Sequence, residues 1–457
     1  MKRRGFLKLS AAATVGSAAS IRPARTADPV EAKQPTVLEP SRTVPVVAQA
    51  DVIVCGAGPA GCAAAIAAAR KGAKTLLLEL HGCLGGIWTT GLLSWILDYR
   101  NKRGLMPELL ERLTKREGRA ATRDGKLTNA YDVEVMKLAL DEMCAEAGVQ
   151  IQLHTRIVAV AKTGRRLTHV IAESKSGREA FAAKVFIDCT GDGDLGALSG
   201  NGFDWGHPDD GRTQPMTLMA LVTGIVPEEI QEFYRELDSE PWAPPKEKLK
   251  AQMERGGHSP SYSRPTLFRV RNDLFALMTN HEYGLKGINA RDVTRATLHA
   301  RKEVNDLVAG LRSTGGVWKN LRLVATAAQI GVREGRRLHG LCTVSADDAR
   351  EGRTFADGVC RVTFGIDVHS TDPRREKGIE SVGWRARPYD IPLRALVARD
   401  VEGLMMAGRC ISGDFLAHSS YRVTGNAVAM GEAAGKTAAV AAQTKRPPAQ
   451  VNIAEIA

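Results

Sequence analysis

Three glycines, Gly56, Gly58 and Gly61, follow an apolar run rich in valine and isoleucine with the spacing Gly-x-Gly-x-x-Gly. The first permits a tight turn, the second lets main chain approach a pyrophosphate, and the third lets a helix lie close to the strand. Pro59 and Ala60 complete the turn, after which the free N–H groups of a helix would face the phosphates. We therefore predict a dinucleotide-binding turn; the alternative is a glycine turn that binds no ligand.

A strand, a helix and a second strand must position this turn. Residues 50–55 have the composition of a buried strand, residues 62–71 that of a helix, and residues 74–79 that of the next strand. The second strand ends at Glu79, 23 residues after Gly56. An acid at that distance is expected to meet a ribose hydroxyl.

A second glycine-rich loop, in residues 81–91, contains Gly85, Gly86 and Thr90. Adjacent glycines let main chain run along an extended ligand, and a threonine hydroxyl at Thr89 or Thr90 can bond phosphate or ring atoms. The alternative is a plain glycine loop.

Two further segments place flexible backbone at the end of an apolar run. Thr190, Gly191 and Asp192 follow a predicted strand in residues 181–189, and Gly408 and Arg409 end a predicted strand in residues 404–409. In doubly wound folds, ligands bind at the carboxyl edge of the parallel sheet. Both segments are therefore candidates for the same ligand edge.

Residues 200–390 show a different pattern of apolar and polar residues from the preceding part of the chain. Residues 216–225 and 267–277 resemble strands, residues 292–311 an amphipathic helix, and a proline-rich piece at residues 241–245 breaks the chain between them. We interpret this region as a second domain inserted into the first. Arg333, Arg336 and Arg337 lie in it at helical spacing and could clamp an anionic group; a salt-bridged domain junction is the alternative.

The N-terminus carries Arg3 and Arg4 followed by x-Phe-Leu-Lys, which is similar to the twin-arginine export signal of bacteria. A basic disordered tail is the alternative. The formal net charge is +12, but the first 50 residues hold eight Lys/Arg against three Asp/Glu, and no long basic block follows. Nucleic acid is therefore not an expected partner.

The eight cysteines show no Cys-x-x-Cys spacing. The sequence therefore predicts no redox dithiol, no zinc site and no other metal centre.

Five short motifs occur in order along the chain: Leu84 to Gly86, Ile330 to Arg337, Ala407 to Arg409, Arg422 with Val423, and Met430 to Gly435. With them the chain resembles the FAD-dependent oxidoreductases of the glutathione-reductase-like superfamily, which has two dinucleotide-binding domains. The resemblance covers roughly residues 50 to 442 and implies FAD as the cofactor. It further implies that the following residues bind FAD, with the helix in residues 424–443 facing the flavin ring: Gly56, Gly58, Pro59, Ala60, Gly61, Glu79, Gly85, Gly86, Thr90, Thr190, Gly191, Asp192, Gly408, Arg409 and Asp414.

The expected fold is α/β, a Rossmann-like FAD-binding domain with a parallel sheet plus an inserted α+β substrate or cap domain. The expected boundaries are a signal in 1–27, a linker in 28–48, FAD-binding parts in 49–199 and 389–445, the inserted domain in 200–388, and a tail in 446–457.

The expected function is hydride transfer between a small organic substrate and FAD, with electrons passing to a quinone, a carrier protein or oxygen. Near the expected flavin face, His418 is the candidate base, Arg422 or Arg333 the anion or carbonyl binder, and Tyr389 a further candidate. His418 could instead only bond backbone. The alternative functions are a non-catalytic flavin-binding module and, disfavoured by the cysteine spacing, a disulfide reductase. The export signal predicts a periplasmic or exported protein that folds before translocation by the twin-arginine machinery.

Overall fold

The computed structural model describes residues 35–456. The predicted signal in residues 1–27 and the first part of the predicted linker, residues 28–34, lie outside them. The chain divides after Thr43 into two units, and residues 35–43 of the first contain no helix or strand. Within the described part of the chain, no helix has both the length and the apolar character needed to cross a membrane.

The second unit alternates strands and helices. Its helices are α1 (Pro59–Arg70), α2 (Leu105–Lys115), α3 (Val133–Glu146), α4 (Asp194–Leu198), α5 (Ala243–Arg255), α6 (Ala290–Ser313), α7 (Ala346–Glu351), α8 (Phe415–Tyr421) and α9 (Thr424–Thr444). Its strands are β1 (Val46–Cys55), β2 (Thr75–Leu78), β3 (Gln150–Gln152), β4 (Arg156–Thr163), β5 (Arg166–Ser174), β6 (Gly177–Asp188), β7 (Phe203–Asp204), β8 (Ala220–Thr223), β9 (Thr266–Arg271), β10 (Leu274–Met278), β11 (Arg322–Thr326), β12 (Arg337–Leu338), β13 (Gly358–Val362), β14 (Val368–His369), β15 (Ile379–Glu380), β16 (Tyr389–Pro392) and β17 (Leu404–Met406).

The main sheet has the order β3-β2-β1-β6-β5-β4, and β17 pairs with the end of β6. Strands β3, β2, β1, β6 and β17 run parallel, whereas β4, β5 and β6 form antiparallel pairs. Val52, Ile53 and Val54 in β1 are fully buried, as expected for a parallel strand covered on both faces. The predicted parallel sheet is confirmed, and β1 begins at Val46, within the predicted linker.

The two ends of the second unit meet in the packing of α9 on α1. A Cβ atom at Gly431 would lie 2.1 Å from the carbonyl oxygen of Ala60, and one at Gly435 would lie 2.1 Å from that of Ala64. Only glycine permits this approach of the two backbones. The close packing predicted from the small residues of α9 is confirmed.

The middle of the chain forms an antiparallel sheet with the order β11-β8-β10-β9, together with α5 and α6. The predicted helix in residues 292–311 corresponds to α6. Two predictions here are wrong. Residues 267–277 form the hairpin of β9 and β10 rather than one strand, because Asn272, at φ 45°, turns the chain. The proline-rich piece does not break the chain but begins α5, since prolines are compatible with the first helical turn.

Candidate active site

The glycine turn lies between β1 and α1 at the carboxyl edge of the parallel sheet. Gly56 has φ 95°, and a Cβ atom there would lie 2.5 Å from the carbonyl oxygen of Cys189. A Cβ atom at Gly61 would lie 1.8 Å from the carbonyl oxygen of Gly56, whereas one at Gly58 would meet nothing within 4 Å. The turn therefore needs two glycines for its own packing, and Gly58 faces open space.

The loop after β2 lies against this turn. The N–H of Gly85 donates to the carbonyl oxygen of Ala57 at 2.8 Å, and a Cβ atom at Gly86 would lie 2.9 Å from the Cα of Gly58. The hydroxyl of Thr90 lies 2.8 Å from both the carbonyl oxygen of Gly86 and Oε1 of Gln329. We call the surface formed by the glycine turn and this loop the cradle.

Glu79 is buried beside the cradle. Its Oε2 accepts from the N–H of Ala57 at 2.5 Å, and its Oε1 accepts from the N–H of His81 at 2.8 Å. The carboxylate is thus held at the end of β2 next to the glycine turn. Its contact with a ribose stays a prediction.

The two other predicted segments are joined by an ion pair. Arg409 lies 2.7 Å from Asp192, and its guanidinium covers Gly191, whose φ is 78°. Asp414 caps α8 by accepting from Ala417 at 2.7 Å. These contacts connect the strand ends of β6 and β17 at the same edge of the sheet.

His418, on α8, is fully buried; its ring interacts with the backbone of Arg409 and makes no other hydrogen bond within residues 35–456. Burial, aided by the charges of Arg337 and Arg422, holds the pKa of His418 well below its usual value. The imidazole is therefore neutral and has one ring nitrogen left for a bound group.

A second group of polar side chains lies in the interior beyond α8. Nε2 of His281 lies 3.0 Å from Nδ1 of His369, and Nε2 of His369 lies 3.2 Å from Oδ2 of Asp367. Nδ1 of His281 lies 2.9 Å from the hydroxyl of Tyr283, and the ring of Tyr262 lies against that of His281 at a centroid distance of 4.1 Å. We call this group of side chains, together with Arg333 and Arg422, the chamber.

The electrostatics fix the direction of the hydrogen bonds in the chamber. Burial lowers the pKa of His369 to about 3 and that of His281 well below its usual value. Although burial opposes it, His369 and Arg422 lower the pKa of Asp367, which stays ionised. One arrangement then satisfies every contact: Tyr283 O–H donates to Nδ1 of His281, whose Nε2–H donates to Nδ1 of His369, whose Nε2–H donates to Asp367.

Two arginines complete the chamber. Nη1 of Arg333 donates to the carbonyl oxygen of Pro215 and to Oγ1 of Thr217, each at 2.7 Å. Nη2 of Arg422 lies 2.8 Å from the carbonyl oxygen of Asp367 and 3.4 Å from its carboxylate. Although they lie deep in the protein, Arg422 keeps 10% and Asp367 21% of its side-chain surface accessible. Both side chains are therefore not completely covered by protein atoms.

Gln214 joins the chamber to α8, and a separate contact joins the chamber to the cradle. The amide of Gln214 donates to Ser419 at 3.0 Å and accepts from Arg422 at 3.2 Å and from the N–H of His369 at 2.9 Å. Ser419 directly follows His418 on α8. On the other side, a Cβ atom at Gly331 would lie 3.2 Å from Ile87 of the cradle loop, two residues before Arg333.

The predicted arginine clamp is wrong in its geometry. Arg333, Arg336 and Arg337 do not share a helix face, because residues 329–336 are irregular and only β12 follows them. Arg336 pairs with Asp194 at 2.8 Å and Arg337 with Glu334 at 2.5 Å. The salt-bridged alternative therefore describes these two, and Arg333 alone enters the chamber.

A sequence model of the family described as FAD dependent oxidoreductase matches residues 51–457. The chain belongs to this family. Among solved structures, it is similar to a geranylgeranyl bacteriochlorophyll reductase-like protein from Thermoplasma acidophilum, at 13% identity over 87% of this chain and 80% of that chain with a TM-score of 0.44. It is also similar to the myxobacterial chondrochloren halogenase, at 12% identity over 90% and 77% of the two chains with a TM-score of 0.46. A comparison with curated proteins gave no match.

The protein is thus an FAD-dependent enzyme, and its residues fit the cofactor. Open space lies at Gly58 beside the N-terminus of α1, where a pyrophosphate meets free N–H groups. The ring nitrogen of His418 that does not face the backbone of Arg409 is a buried polar atom of the kind that a cofactor ring satisfies. The individual contacts predicted for the cradle residues, for Arg409 and for Asp414 stay predictions.

Some chamber residues were predicted from the sequence and others were not. The structure brings Arg333 and Arg422 together as chamber residues. It does not bring Tyr389 there: this tyrosine is fully buried in the main core, near Cys360 and Asp98. The relay residues Tyr283, His281, His369 and Asp367 were missed; the pairs His-x-Tyr and Asp-x-His at alternating positions are the signal they leave in the sequence.

Proposed function

We propose that this FAD-dependent oxidoreductase oxidises or reduces a small organic substrate in the chamber by hydride transfer. The observation that carries the proposal is the ordered chain of hydrogen bonds from Tyr283 to Asp367. It lies beside Arg333, whose segment contacts the cradle at Ile87 through Gly331. A buried proton path next to a cofactor site is what hydride chemistry requires of the protein, because the substrate gains or loses a proton with the hydride.

FAD, when bound, supplies the hydride acceptor or donor. The substrate proton is handled by the chain's own residues. Both nitrogens of His281 and of His369 are engaged, so the hydroxyl of Tyr283 is the end of the relay that faces a substrate. Burial raises the pKa of Tyr283, which disfavours a free tyrosinate. Tyr283 therefore exchanges a proton with the substrate while Nδ1 of His281 exchanges one with Tyr283. Nε2 of His281 passes its proton to Nδ1 of His369, and Asp367 stabilises the imidazolium that forms on His369.

His418 has a separate role in this proposal. Its neutral ring lies among Arg337, Arg409 and Arg422 and apart from the relay, so it binds the cofactor rather than moving the substrate proton. The N-terminus of α9 would offer the positive end of its dipole to negative charge on a bound cofactor.

Anaerobic mixing of the purified holoenzyme with hydroxy acids, sugars, amines and steroids tests the proposal through the flavin absorbance near about 450 nm. Bleaching by one chemical class, reversed by a quinone, a carrier protein or oxygen, is expected. If no donor bleaches the flavin and no acceptor reoxidises chemically reduced enzyme, the hydride-transfer proposal fails.

We further propose that the enzyme is exported by the twin-arginine machinery after folding, on the basis of Arg3 and Arg4 with the following Phe6-Leu7-Lys8. Replacing Arg3 and Arg4 with lysine should retain the protein in the cytoplasm. The same change at Arg22 and Arg25, in the same segment but outside the motif, is the matched control. Unchanged localisation of the first variant would refute export by this route.

A further inference from the structure

The chamber carries more positive than negative charge. Arg333 and Arg422 both face Asp367, and Arg422 and Arg337 both face Glu334. Arg409, which also acts on Arg422, is balanced by its ion pair with Asp192. Glu334 already forms an ion pair with Arg337, with 2.5 Å between Oε1 and Nη1. One positive charge is therefore unbalanced, and Lys246, whose charge also acts near Asp367, adds to the excess.

The arginines also keep hydrogen-bond donors without a partner. Nε of Arg422 is buried and has none within residues 35–456. Nε and Nη2 of Arg333 make no hydrogen bond to an oxygen or nitrogen of the described residues; the contact of Nη2 is Met278 Sδ at 4.0 Å. A buried, unbalanced guanidinium is costly, and burial accordingly lowers the pKa of Arg333 to about 10.

We propose that Arg333 and Arg422 bind the carboxylate of an organic-acid substrate, an inference that rests on the oxidoreductase function proposed above. A carboxylate would supply the missing negative charge. Its oxygens would accept hydrogen bonds from the unpaired N–H groups of both guanidinium groups. The ring of Tyr262 and the side chain of Met278 offer apolar contact to the carbon skeleton, which favours an organic acid over an inorganic anion. The hydroxyl of Tyr283 would then meet the carbon or oxygen that gains or loses a proton.

Titration of the holoenzyme with sodium succinate and sodium benzoate, against succinamide and benzamide at constant ionic strength, tests the proposal. Binding is followed by calorimetry and by the difference spectrum of the bound flavin. We expect an acid to bind at least about tenfold more tightly than its amide, because a charge-assisted bidentate contact is lost in the amide. Sodium phosphate and sodium sulfate should bind more weakly than the better acid.

The variants Arg333→Met and Arg422→Met should each weaken binding of the acid by about tenfold or more. Arg336→Met is the matched control, because Arg336 lies in the same segment but pairs with Asp194. Arg333→Lys and Arg422→Lys keep the positive charge but lose the planar guanidinium group. The flavin content of each variant verifies that it is folded. If a methionine variant does not fold, the comparison of acid with amide in the wild-type enzyme decides alone.

Equal affinity for acid and amide, equal weakening by Arg336→Met, or phosphate binding as tight as the acids would overturn the carboxylate site. The oxidoreductase proposal fails separately. If carboxylates bind in the expected pattern but no donor bleaches the flavin, the carboxylate site is supported and the hydride-transfer proposal is refuted. If a neutral donor bleaches the flavin and no carboxylate binds, hydride transfer is supported and the carboxylate site is refuted.

Discussion

The cradle and the chamber are built in opposite ways. The cradle is made of main chain: glycines bring its two backbone segments into contact with each other and with the end of β6, and each segment is a short run of sequence after a strand. The chamber is made of side chains contributed by residues far apart in sequence, from Gln214 to Arg422, and held by hydrogen bonds among themselves. Variants in the two regions should therefore differ in kind: cradle variants should affect folding and FAD binding, and chamber variants should affect turnover with FAD still bound.

The largest effect is expected at Gly61. In Gly61→Ala the new Cβ would overlap the carbonyl oxygen of Gly56, 1.8 Å away, so turn and helix must move apart. We expect a loss of about 3 kcal/mol in the free energy of unfolding, measured by urea unfolding. A change below about 0.5 kcal/mol, within the range of harmless substitutions, would contradict the packing described for the turn.

Asp367→Asn should lower turnover by about 100-fold while FAD content stays unchanged, because the relay loses its ionised acceptor and the imidazolium its counter-charge. Steady-state kinetics and flavin absorbance provide the two measurements. Asp372→Asn is the matched control, since Asp372 lies in the same segment and pairs with Arg374 and Arg212 outside the relay. Equal losses in the two variants would mean that the segment acts through its fold alone.

Gly58→Ala should weaken FAD binding by about tenfold without changing the stability of the apoprotein. The backbone at Gly58, with φ −67°, accommodates any residue, and the added Cβ meets nothing in the chain. The added methyl group can therefore contact only the bound ligand. Fluorescence titration of FAD and thermal unfolding of the apoprotein separate the two quantities, and unchanged FAD affinity would mean that the pyrophosphate does not pass over Gly58.

His369→Gln should flatten the dependence of stability on pH. The folded pKa of His369 is lowered to about 3, against about 6.5 when unfolded. As pH falls below about 6.5 the unfolded chain binds the proton first, so stability is lost down to the folded pKa. Between about pH 6 and 5 the wild-type slope should exceed that of the variant by up to about 1.4 kcal/mol per pH unit.

Urea unfolding at several pH values measures this difference. The same substitution at the exposed His299, whose pKa is raised by its hydrogen bond with Glu282, should not flatten the curve. Parallel curves for wild type and His369→Gln would show that His369 is not buried as a neutral ring.

The smallest effect is expected for the two half-buried cysteines, Cys83 and Cys342. No disulfide joins any of the cysteines, which all lie in the described residues, and the others are buried. Replacing Cys83 and Cys342 together with serine should leave turnover within about twofold, since neither takes part in the relay. A loss beyond about tenfold would return the disulfide-reductase alternative to consideration.

The sequence predicted the cradle because its determinants are local. Gly-x-Gly-x-x-Gly after a β-strand, an acid at the end of the next strand, and small residues along a helix each have one physical meaning, wherever the rest of the chain goes. The same locality explains the prediction that β17 and α9 complete the first domain. The prediction failed where one local pattern has several meanings, as at the prolines that begin α5 and at the arginines that share no helix face.

The chamber was not predictable in this way. His281 and His369 are 88 residues apart, and nothing in either neighbourhood shows that their rings share a proton. Their proximity depends on the pairing of short ribbons and on where α8 ends, which only the folded chain decides. His418, the candidate base from the sequence, makes no hydrogen bond to the relay residues, and its role stays a prediction.

The central claim is that the chamber moves the substrate proton and the cradle only holds FAD. The most direct test is the rate at which bound flavin bleaches near about 450 nm under anaerobic single-turnover conditions, in wild type and in Tyr283→Phe, with Tyr234→Phe as a control in a separate core. We predict a full equivalent of FAD in all three proteins and bleaching about 100-fold slower in Tyr283→Phe alone. Equal bleaching rates in wild type and Tyr283→Phe, at equal FAD content, would contradict the account.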